Sequence, residues 1–284
     1  MHHNPSFSIS PMTQAELNDF ALAWAAAEGW NPGLHDAESF YPQDPQGFFI
    51  GRLDQEVIAT AAGVIYDDNF AFFGFYFVKA DFRGQGYGMQ MTQKRLAYVG
   101  DRIVGLDGVL TMCDKYANIG FRLAHMNIRQ QGIAPSSVNV DPHISKILPS
   151  MFPEILTYDR QCFPAPRPAF LSKWLNPKEG MAVAYCDNSQ VKGYGVIRKT
   201  VTGYKVGPLF ADDQKVANAI LSGLLSTIPN ETFFLDTPEP NSMALALAAS
   251  YKTQACFKTL RMYRNGMPDL DLNKVFGITT FELG

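Results

Sequence analysis

Three glycines at alternate positions stand between an apolar run and a helical pattern in the first half of the chain. Gly84, Gly86 and Gly88 follow the predicted strand 70–78, and the helical pattern beyond them ends near Asp101. Glycine lets successive backbone N–H groups turn toward one point, beside the positive end of the helix dipole. Such a loop favours an anion, and Arg83 adds a positive charge next to it.

Two common phosphate-binding motifs do not fit this loop. The spacing is not Gly-x-Gly-x-x-Gly, because Gly88 follows Gly86 after a single residue, and the Gly-Lys-Ser/Thr ending of an ATP-binding loop is missing. Dinucleotide and ATP are therefore poor predictions for the anion. A tight turn without a ligand remains the alternative.

The segment from Val78 to Gly88 resembles the coenzyme A signature Q/R-x-x-G-x-G/A of the GNAT superfamily of N-acetyltransferases. Arg83, Gly86 and Gly88 occupy its defining positions, and Tyr116-x-x-x-Gly120-Phe121 follows the next strand. The resemblance implies acetyl-CoA as cosubstrate, with its pyrophosphate on the loop amides and its pantetheine arm along the strand that ends at Val78. The cofactor-binding residues that it implies are Tyr76, Phe77, Val78, Arg83, Gly84, Gln85, Gly86, Tyr87, Gly88 and Met89.

Tyr116 falls where the family places a tyrosine that protonates the leaving thiolate of coenzyme A. A phenol within hydrogen-bonding reach of the departing sulfur is a sound general acid. The alternative is a packed tyrosine with its hydroxyl bonded elsewhere. One departure from the family is the stretch Leu110-Thr111-Met112, which stands where many members carry an asparagine.

The group that accepts the amine proton has no clear sequence signal. The resemblance implies that the segment after the first helix shapes the acceptor pocket, which makes Glu28, Trp30, His35 and Asp36 candidates, and Asp107 ends a strand near the expected thioester. Helix capping, surface exposure and core packing are the alternatives for these side chains. No base is assigned.

The elements that position these residues predict an α+β fold. Thr13 and Glu16 form a capping box for a helix reaching Trp30, a short helix follows at 35–40, and strands are predicted at 47–52, 57–66 and 70–78. After the loop and its helix come a strand at 103–109, a helix at 112–119 and a strand at 122–129. Helices thus alternate with strands of one mostly antiparallel sheet.

The second half repeats this order of elements, which predicts two tandem GNAT-like domains of residues 1–134 and 151–284 joined by a proline-rich linker at 135–150. Its helices are predicted at 152–161, 212–225 and 241–257, and its strands at 181–187, 191–200, 204–210, 231–236 and 259–264. Asp212 and Asp213 stand where the loop's Arg83 and Gly84 stood, and carboxylates would repel a pyrophosphate. The second copy is therefore predicted to lack acetyl-CoA binding. The turn 236–241 is a candidate lining of the first copy's acceptor pocket.

Composition limits the partners. The chain has 284 residues, 46% of them hydrophobic, and a net charge of −3, which indicates a globular protein and argues against nucleic-acid binding. Its four cysteines form no Cys-x-x-Cys pair, so no metal site is predicted. No apolar run would span a membrane and no signal peptide is recognisable, so we expect a cytoplasmic protein. The oligomeric state is left open.

The sequence as a whole predicts an acyltransferase that moves an acetyl group from acetyl-CoA to a primary amine, on a small molecule or a peptide, by direct attack. Two alternatives remain. One is a coenzyme A-binding sensor that performs no chemistry, and the other is transfer of a longer acyl group.

Overall fold

The computed structural model describes residues 6–188 and 190–284. Within them, strands are formed at β1 (Phe7–Pro11), β2 (Phe48–Leu53), β3 (Glu56–Ile65), β4 (Phe70–Val78), β5 (Ile103–Val109), β6 (Arg122–Ile133), β7 (Ile144–Lys146), β8 (Gly180–Asp187), β9 (Gln190–Lys199), β10 (Tyr204–Ala211), β11 (Thr232–Pro238), β12 (Gln254–Arg264) and β13 (Val275–Gly277). Helices are formed at α1 (Gln14–Glu16), α2 (Ala23–Ala27), α3 (Asp36–Phe40), α4 (Tyr87–Val99), α5 (Cys113–Asn118), α6 (Phe152–Cys162), α7 (Pro168–Trp174), α8 (Gln214–Leu225) and α9 (Ser242–Ser250).

The strands form one continuous sheet with the order β1-β2-β3-β4-β5-β12-β6-β11-β10-β9-β8-β7, and β13 pairs with β10 beside this path. The two halves of the chain therefore have equivalent elements in equivalent places, which confirms the predicted α+β fold of mixed, mostly antiparallel strands flanked by helices. Strands β6 and β12, which hold equivalent places in the two halves, are exchanged: β12 pairs with β5 of the first half, and β6 pairs with β11 of the second.

Some predicted boundaries are wrong for local reasons. The capping box of Thr13 and Glu16 forms, but the helix widens into a π-helical turn at Leu17–Leu22 and ends at Ala27, before Gly29 at φ 77°. Helix α9 ends at Ser250 rather than 257, because Lys252 adopts a left-handed φ of 56° and β12 begins two residues later. Strand β1 and helix α7 were not predicted at all.

The segment predicted as a linker also contributes to the sheet. Residues 144–146 form β7, which pairs with β8 at the edge of the second half. The four cysteines are free thiols, but only Cys162 is buried and Cys256 is exposed.

The parallel strands β4 and β5 separate partway along their length. Their pairing stops at Phe73 and Leu106, although β4 continues to Val78 and β5 to Val109. Phe75 lies just past the point of separation with φ 48°, and its carbonyl oxygen accepts a hydrogen bond from the Thr60 hydroxyl at 2.8 Å. This part of β4 offers an open edge toward β5.

The second half has the equivalent separation, but there the gap is filled. Pairing of β10 with β11 stops at Val206 and Leu235, and beyond it β13 pairs with β10 at Leu209 and Phe210. A strand of the chain itself therefore occupies in the second half the place that is open in the first. This occupation supports the prediction that only the first copy keeps a binding groove.

The segment that follows β13 runs from the point where β10 and β11 separate to the point where β4 and β5 separate. A Cβ atom on Gly207 would overlap the carbonyl oxygen of Thr279, and one on Gly74 would overlap that of Glu282. The Tyr66 hydroxyl donates to the Leu283 carbonyl oxygen at 2.8 Å, and residues 278–283 are buried. Glycine at the two crossing points lets this segment, here called the crossing segment (residues 278–284), lie directly on β10 and β4.

Candidate active site

A cavity of about 450 Å³ opens where β4 and β5 separate. Its walls come from β4, β5, the glycine loop, α4 and α5 of the first half. The second half closes it through β12 and the crossing segment, which contribute Phe257, Thr259, Phe281 and Glu282. The site is therefore built by both halves of the chain.

The glycine loop enters this cavity with unused backbone donors. Within the described chain, the amide groups of residues 84–88 donate to no acceptor, and Gly86 is the N-cap of the 13-residue helix α4. Gly84 and Gly86 adopt φ values of 77° and 88°, which side chains other than glycine rarely allow. Gly88 lies so near Tyr76 that a Cβ would overlap its hydroxyl. The loop has the form of an anion site at a helix N-terminus.

Arg83 joins the loop to β4 and to the first helical region. Its Nε donates to the Val78 carbonyl oxygen at 2.8 Å, and its guanidinium stacks over the Phe77 ring at 5.5 Å. One of its terminal nitrogens lies 3.9 Å from the Glu28 carboxylate. Because the side chain is more than half exposed, this ion pair is weak, and the positive charge remains available at the mouth of the cavity.

The predicted cofactor-binding residues divide into two groups. The cavity is lined by Tyr76, Phe77, Val78, Arg83, Gly84 and Gly88. The remaining four do not line it. The side chain of Gln85 donates to the Asp81 carbonyl oxygen, Tyr87 packs on Phe7, Met89 is exposed, and Gly86 presents only backbone at the N-cap of α4.

Tyr116 lies on α5 and lines the cavity beside β5. Its ring packs against Phe121 and against Gly108, where a Cβ would overlap it. Burial raises the pKa of the Tyr116 phenol, and the nearby Arg95 cation partly opposes that rise. Because its pKa is raised, the phenol is protonated at neutral pH. Its hydroxyl forms no hydrogen bond with any described residue, so the proton is free to be donated.

The hydroxyl of the equivalent tyrosine in the second half is held by hydrogen bonds. Tyr251 follows α9, and its hydroxyl bonds the Ser222 hydroxyl at 3.2 Å and the Asn218 side chain at 3.0 Å. Its ring packs on Phe233. The same position therefore carries a structural tyrosine in one copy and a cavity tyrosine in the other.

Three of the predicted acceptor-side residues, Glu28, Trp30 and Asp107, line the cavity. Asp107 is held by Arg261 through contacts of 3.0 and 2.6 Å, and by the Asn127 amide at 2.7 Å. Burial raises the pKa of the Asp107 carboxyl, while the Arg261 guanidinium opposes the rise. Because its hydrogen-bonding capacity is largely used, Asp107 is better suited to holding β5 and β12 together than to accepting a proton.

The other predicted acceptor-side residues lie elsewhere. His35 contacts Glu179, and Asp36 is buried against Arg198 at 2.8 Å, in a depression between α3 and α7. Asp36 also accepts from the Gly33 amide, so it fastens the loop before α3. The turn 236–241 does not line the cavity either, because the Asp236 carboxylate is buried against Arg129.

Several residues that line the cavity were not predicted from the sequence, and among them are Arg95, Phe257, Thr259, Phe281 and Glu282. A signal existed for Arg95, since Met91, Arg95 and Val99 fall on one stripe of α4 and all three are buried. A cation on such a stripe is unusual. The other four depend on the exchange of β12 and on the crossing segment, neither of which has a local pattern.

Two negative findings concern the described residues alone. None of their helices is long and apolar enough to cross a membrane. Their histidine, cysteine and acidic side chains form no cluster that could hold a metal ion.

Comparison with known proteins places this geometry in a family. The family model described as Acetyltransferase (GNAT) family matches residues 12–121, and the one described as Acetyltransferase (GNAT) domain matches residues 155–277. A holothin acyltransferase from Pseudoalteromonas sp. (strain SANK 73390) is 30% identical over 273 residues, which cover 95% of this chain and 93% of that protein.

Solved structures show the same fold. A proposed acetyltransferase from Pyrococcus horikoshii superposes with a TM-score of 0.81 at 18% identity, over 100% of both chains. A tandem GNAT protein from the clavulanic acid biosynthesis pathway superposes with a TM-score of 0.65 at 13% identity, over 93% of this chain and 100% of that one. Together with the family matches and the acyltransferase relative, these likenesses show that the chain belongs to the GNAT acyltransferases, enzymes that use an acyl-CoA cosubstrate, and is a tandem member with two GNAT domains.

Proposed function

We propose that the protein transfers an acetyl group from acetyl-CoA to a primary amine, with Tyr116 as the general acid. The observation that carries the proposal is the meeting, in one cavity, of a loop with unused amide donors and a tyrosine whose hydroxyl is unbonded. The loop suits a pyrophosphate in charge and geometry. The unpaired edge of β4 suits an extended pantetheine arm, which would add to it as a strand adds to a sheet.

In this proposal the chain's own residues position the thioester, give a proton to the leaving sulfur and accept a proton from the amine. The amides of residues 84–88 and Arg83 hold the anionic end of the donor. The β4 edge holds the thioester carbonyl in a fixed orientation, which lowers the entropic part of the barrier to attack by the nitrogen. Tyr116 then donates its phenolic proton to the departing sulfur.

Glu282 is the carboxylate that we assign to the acceptor side of the cavity. It lines the cavity, is 3% exposed, and neither of its carboxylate oxygens has a hydrogen-bond partner among the described residues. Its charge interacts with that of the buried Lys205, but a buried carboxylate without a hydrogen-bond donor is still costly, and an ammonium group entering the cavity would supply one. The aromatic rings of Trp30, Phe257 and Phe281 favour an acceptor with an apolar body.

The holothin acyltransferase relative supplies a first acceptor to test. Because that protein is similar along almost all of this chain, we propose holothin itself as a starting compound, alongside 2-phenylethylamine as a simple amine with an apolar body. A longer acyl group is the second candidate for the donor, since the cavity of about 450 Å³ has room beyond a methyl group.

We expect acetyl-CoA to raise the melting temperature of the wild-type protein, and Gly86→Glu to remove this increase. Glutamate at position 86 would place a carboxylate at the pyrophosphate site and would strain a backbone with φ 88°. Thermal denaturation with increasing acetyl-CoA measures both effects, and we expect at least about tenfold weaker binding in the variant.

Gly29→Glu is the matched control for that variant. Gly29 has φ 77° and open space around it, like Gly86, but lies outside the loop. It should keep the acetyl-CoA response. If wild-type protein showed no response to acetyl-CoA or to butyryl-CoA, the proposed function would be lost, whereas binding without thiol release toward any amine would favour a sensor.

We expect Glu282→Gln to lower kcat/KM for 2-phenylethylamine about tenfold or more, because glutamine neither attracts an ammonium group nor accepts its proton. The binding of acetyl-CoA should be nearly unchanged. Thiol release measured against amine concentration tests this, with the exposed Glu239→Gln as control. Equal kcat/KM in Glu282→Gln and wild type would remove Glu282 from the acceptor site.

A further inference from the structure

Buried arginines in this protein come with carboxylate partners, with one exception. Among the described residues, four buried arginines each pair with an aspartate, and these pairs are Arg129–Asp236, Arg167–Asp159, Arg198–Asp36 and Arg261–Asp107. Arg95 is equally buried, at 2% exposure, but contacts no carboxylate and forms no hydrogen bond with a described residue. A buried cation without a partner lowers stability, so its presence needs a reason.

Arg95 faces the acyl-CoA cavity. Its guanidinium lies over the rings of Phe73 at 4.2 Å and Tyr76 at 4.8 Å, and the residue lines the cavity together with Tyr116. Burial lowers the pKa of the Arg95 guanidinium, and the Tyr116 and Tyr76 hydroxyls oppose that change. The rings hold the side chain in place without neutralising it.

The remaining buried charges do not compensate Arg95. Lys205 and Glu282 are the other two buried charged groups without a hydrogen-bond partner among the described residues, and they are of opposite sign and interact electrostatically. The other charged groups that line the cavity are Glu28 with Arg83 at the mouth, the exposed Lys115, and Asp107, which is paired with Arg261. Among the described residues that line the cavity, Arg95 is therefore the one buried positive charge that no carboxylate compensates, and it is left for an incoming anion.

We propose that Arg95 stabilises the thiolate of coenzyme A as it leaves the acetyl group, an inference that rests on the proposed acyl transfer. Attack of the acceptor nitrogen forms the C–N bond, and the C–S bond breaks with its electron pair remaining on sulfur. The Arg95 cation stabilises this negative charge until the Tyr116 proton reaches it. An acceptor that enters as an ammonium group loses one proton to Glu282 before it attacks and a second proton as the amide forms; the sulfur takes up one proton equivalent through Tyr116, and the other passes to solvent.

Position along α4 separates this role from pyrophosphate binding. Arg95 lies seven residues beyond Gly88, which is about 10 Å along a helix axis. The loop holds the phosphates at the helix start. Arg95 instead lies beside the point where β4 and β5 separate, next to Phe73, and within electrostatic reach of Tyr116. Because Tyr116, the proposed acid for the sulfur, lies within electrostatic reach of Arg95, we assign Arg95 to the negative charge that forms on the sulfur.

The test is the pKa of the coenzyme A thiol when it is bound to the protein. Thiolate absorbance is measured against pH in saturated complexes, with desulfo-coenzyme A complexes as the blank for the protein's own cysteines and tyrosines. In the wild type we expect the thiol pKa to lie about one unit below that of free coenzyme A titrated under the same conditions. In Arg95→Met this decrease should disappear, while Lys94→Met, which removes an exposed cation from the same helix, should titrate like the wild type.

Folding of the variant is checked by melting temperature, and replacing an unpaired buried cation by an apolar side chain of similar size is expected to be tolerated. Should Arg95→Met fail to fold, Arg95→Gln carries the same expectation. A bound thiol that titrates identically in wild type and Arg95 variants would overturn the inference. So would a preference for succinyl-CoA over acetyl-CoA that Arg95→Met removes, since it would assign Arg95 to a carboxylate of the acyl group. If the wild type did not bind coenzyme A at all, the proposed function would fail first.

Discussion

Tyr116→Phe should lower kcat for acetyl transfer about 100-fold or more, while the Kd of acetyl-CoA changes little. The phenylalanine ring keeps the packing against Phe121 and Gly108 but has no proton to give to the sulfur. The effect should be confined to kcat because the hydroxyl acts when the C–S bond breaks, a step that substrate binding does not involve. Thiol release under saturating acetyl-CoA and 2-phenylethylamine gives kcat, and thermal titration gives the Kd.

Tyr251→Phe is the matched control, since it removes the same hydroxyl from the equivalent position of the second half. That hydroxyl bonds Ser222 and Asn218, so its loss should cost about 1 kcal/mol of stability and leave kcat unchanged. Equal kcat in wild type and Tyr116→Phe would mean that another group, or water, protonates the sulfur.

Arg261→Met should lower the free energy of unfolding by about 3–5 kcal/mol, because it leaves the Asp107 carboxylate buried without its cation. The two residues lie on adjacent strands in direct register, β5 from the first half and β12 from the second. The loss should therefore fall on the contact between the halves. Urea denaturation followed by tryptophan fluorescence measures it.

The double variant Asp107→Leu/Arg261→Met separates the ion pair from the arginine side chain itself. An apolar pair of similar volume often replaces a buried ion pair at little cost, so the double variant should regain most of the stability lost in Arg261→Met. Recovery of less than half would mean that the Arg261 stem and its bond to Tyr263 contribute more than the charge.

Much of the fold could be predicted because its elements have local patterns. The capping box of Thr13 and Glu16, the apolar runs of β3 and β4 between polar turns, and the glycine loop before α4 are each encoded within a few residues. The order of the strands in the sheet, in contrast, has no such local pattern. The exchange of β6 and β12 depends on contacts between residues more than 100 positions apart, such as Asp107 and Arg261, and hydrophobic periodicity does not specify partners.

The same distinction applies to the site. Arg83, Gly84, Gly88 and Tyr116 were predicted and line the cavity, because they belong to a short motif. His35 and Asp36 were predicted from a position after the first helix, but the chain turns there and Asp36 is drawn to Arg198 of the second half. Glu282 could not be predicted, since it reaches the cavity only along the path that Gly207 and Gly74 leave open.

Because β6 and β12 are exchanged between the halves, the protein cannot become catalytically active until late in its synthesis. The glycine loop and Tyr116 leave the ribosome early, yet the neighbour of β5 in the finished sheet is β12, which is made about 145 residues later. Until then β5 has an unpaired edge, and unpaired strand edges tend to form hydrogen bonds with strands of other chains. Nascent chains that stop before β12 should therefore aggregate or recruit chaperones, and catalysis should begin only when both halves have been translated.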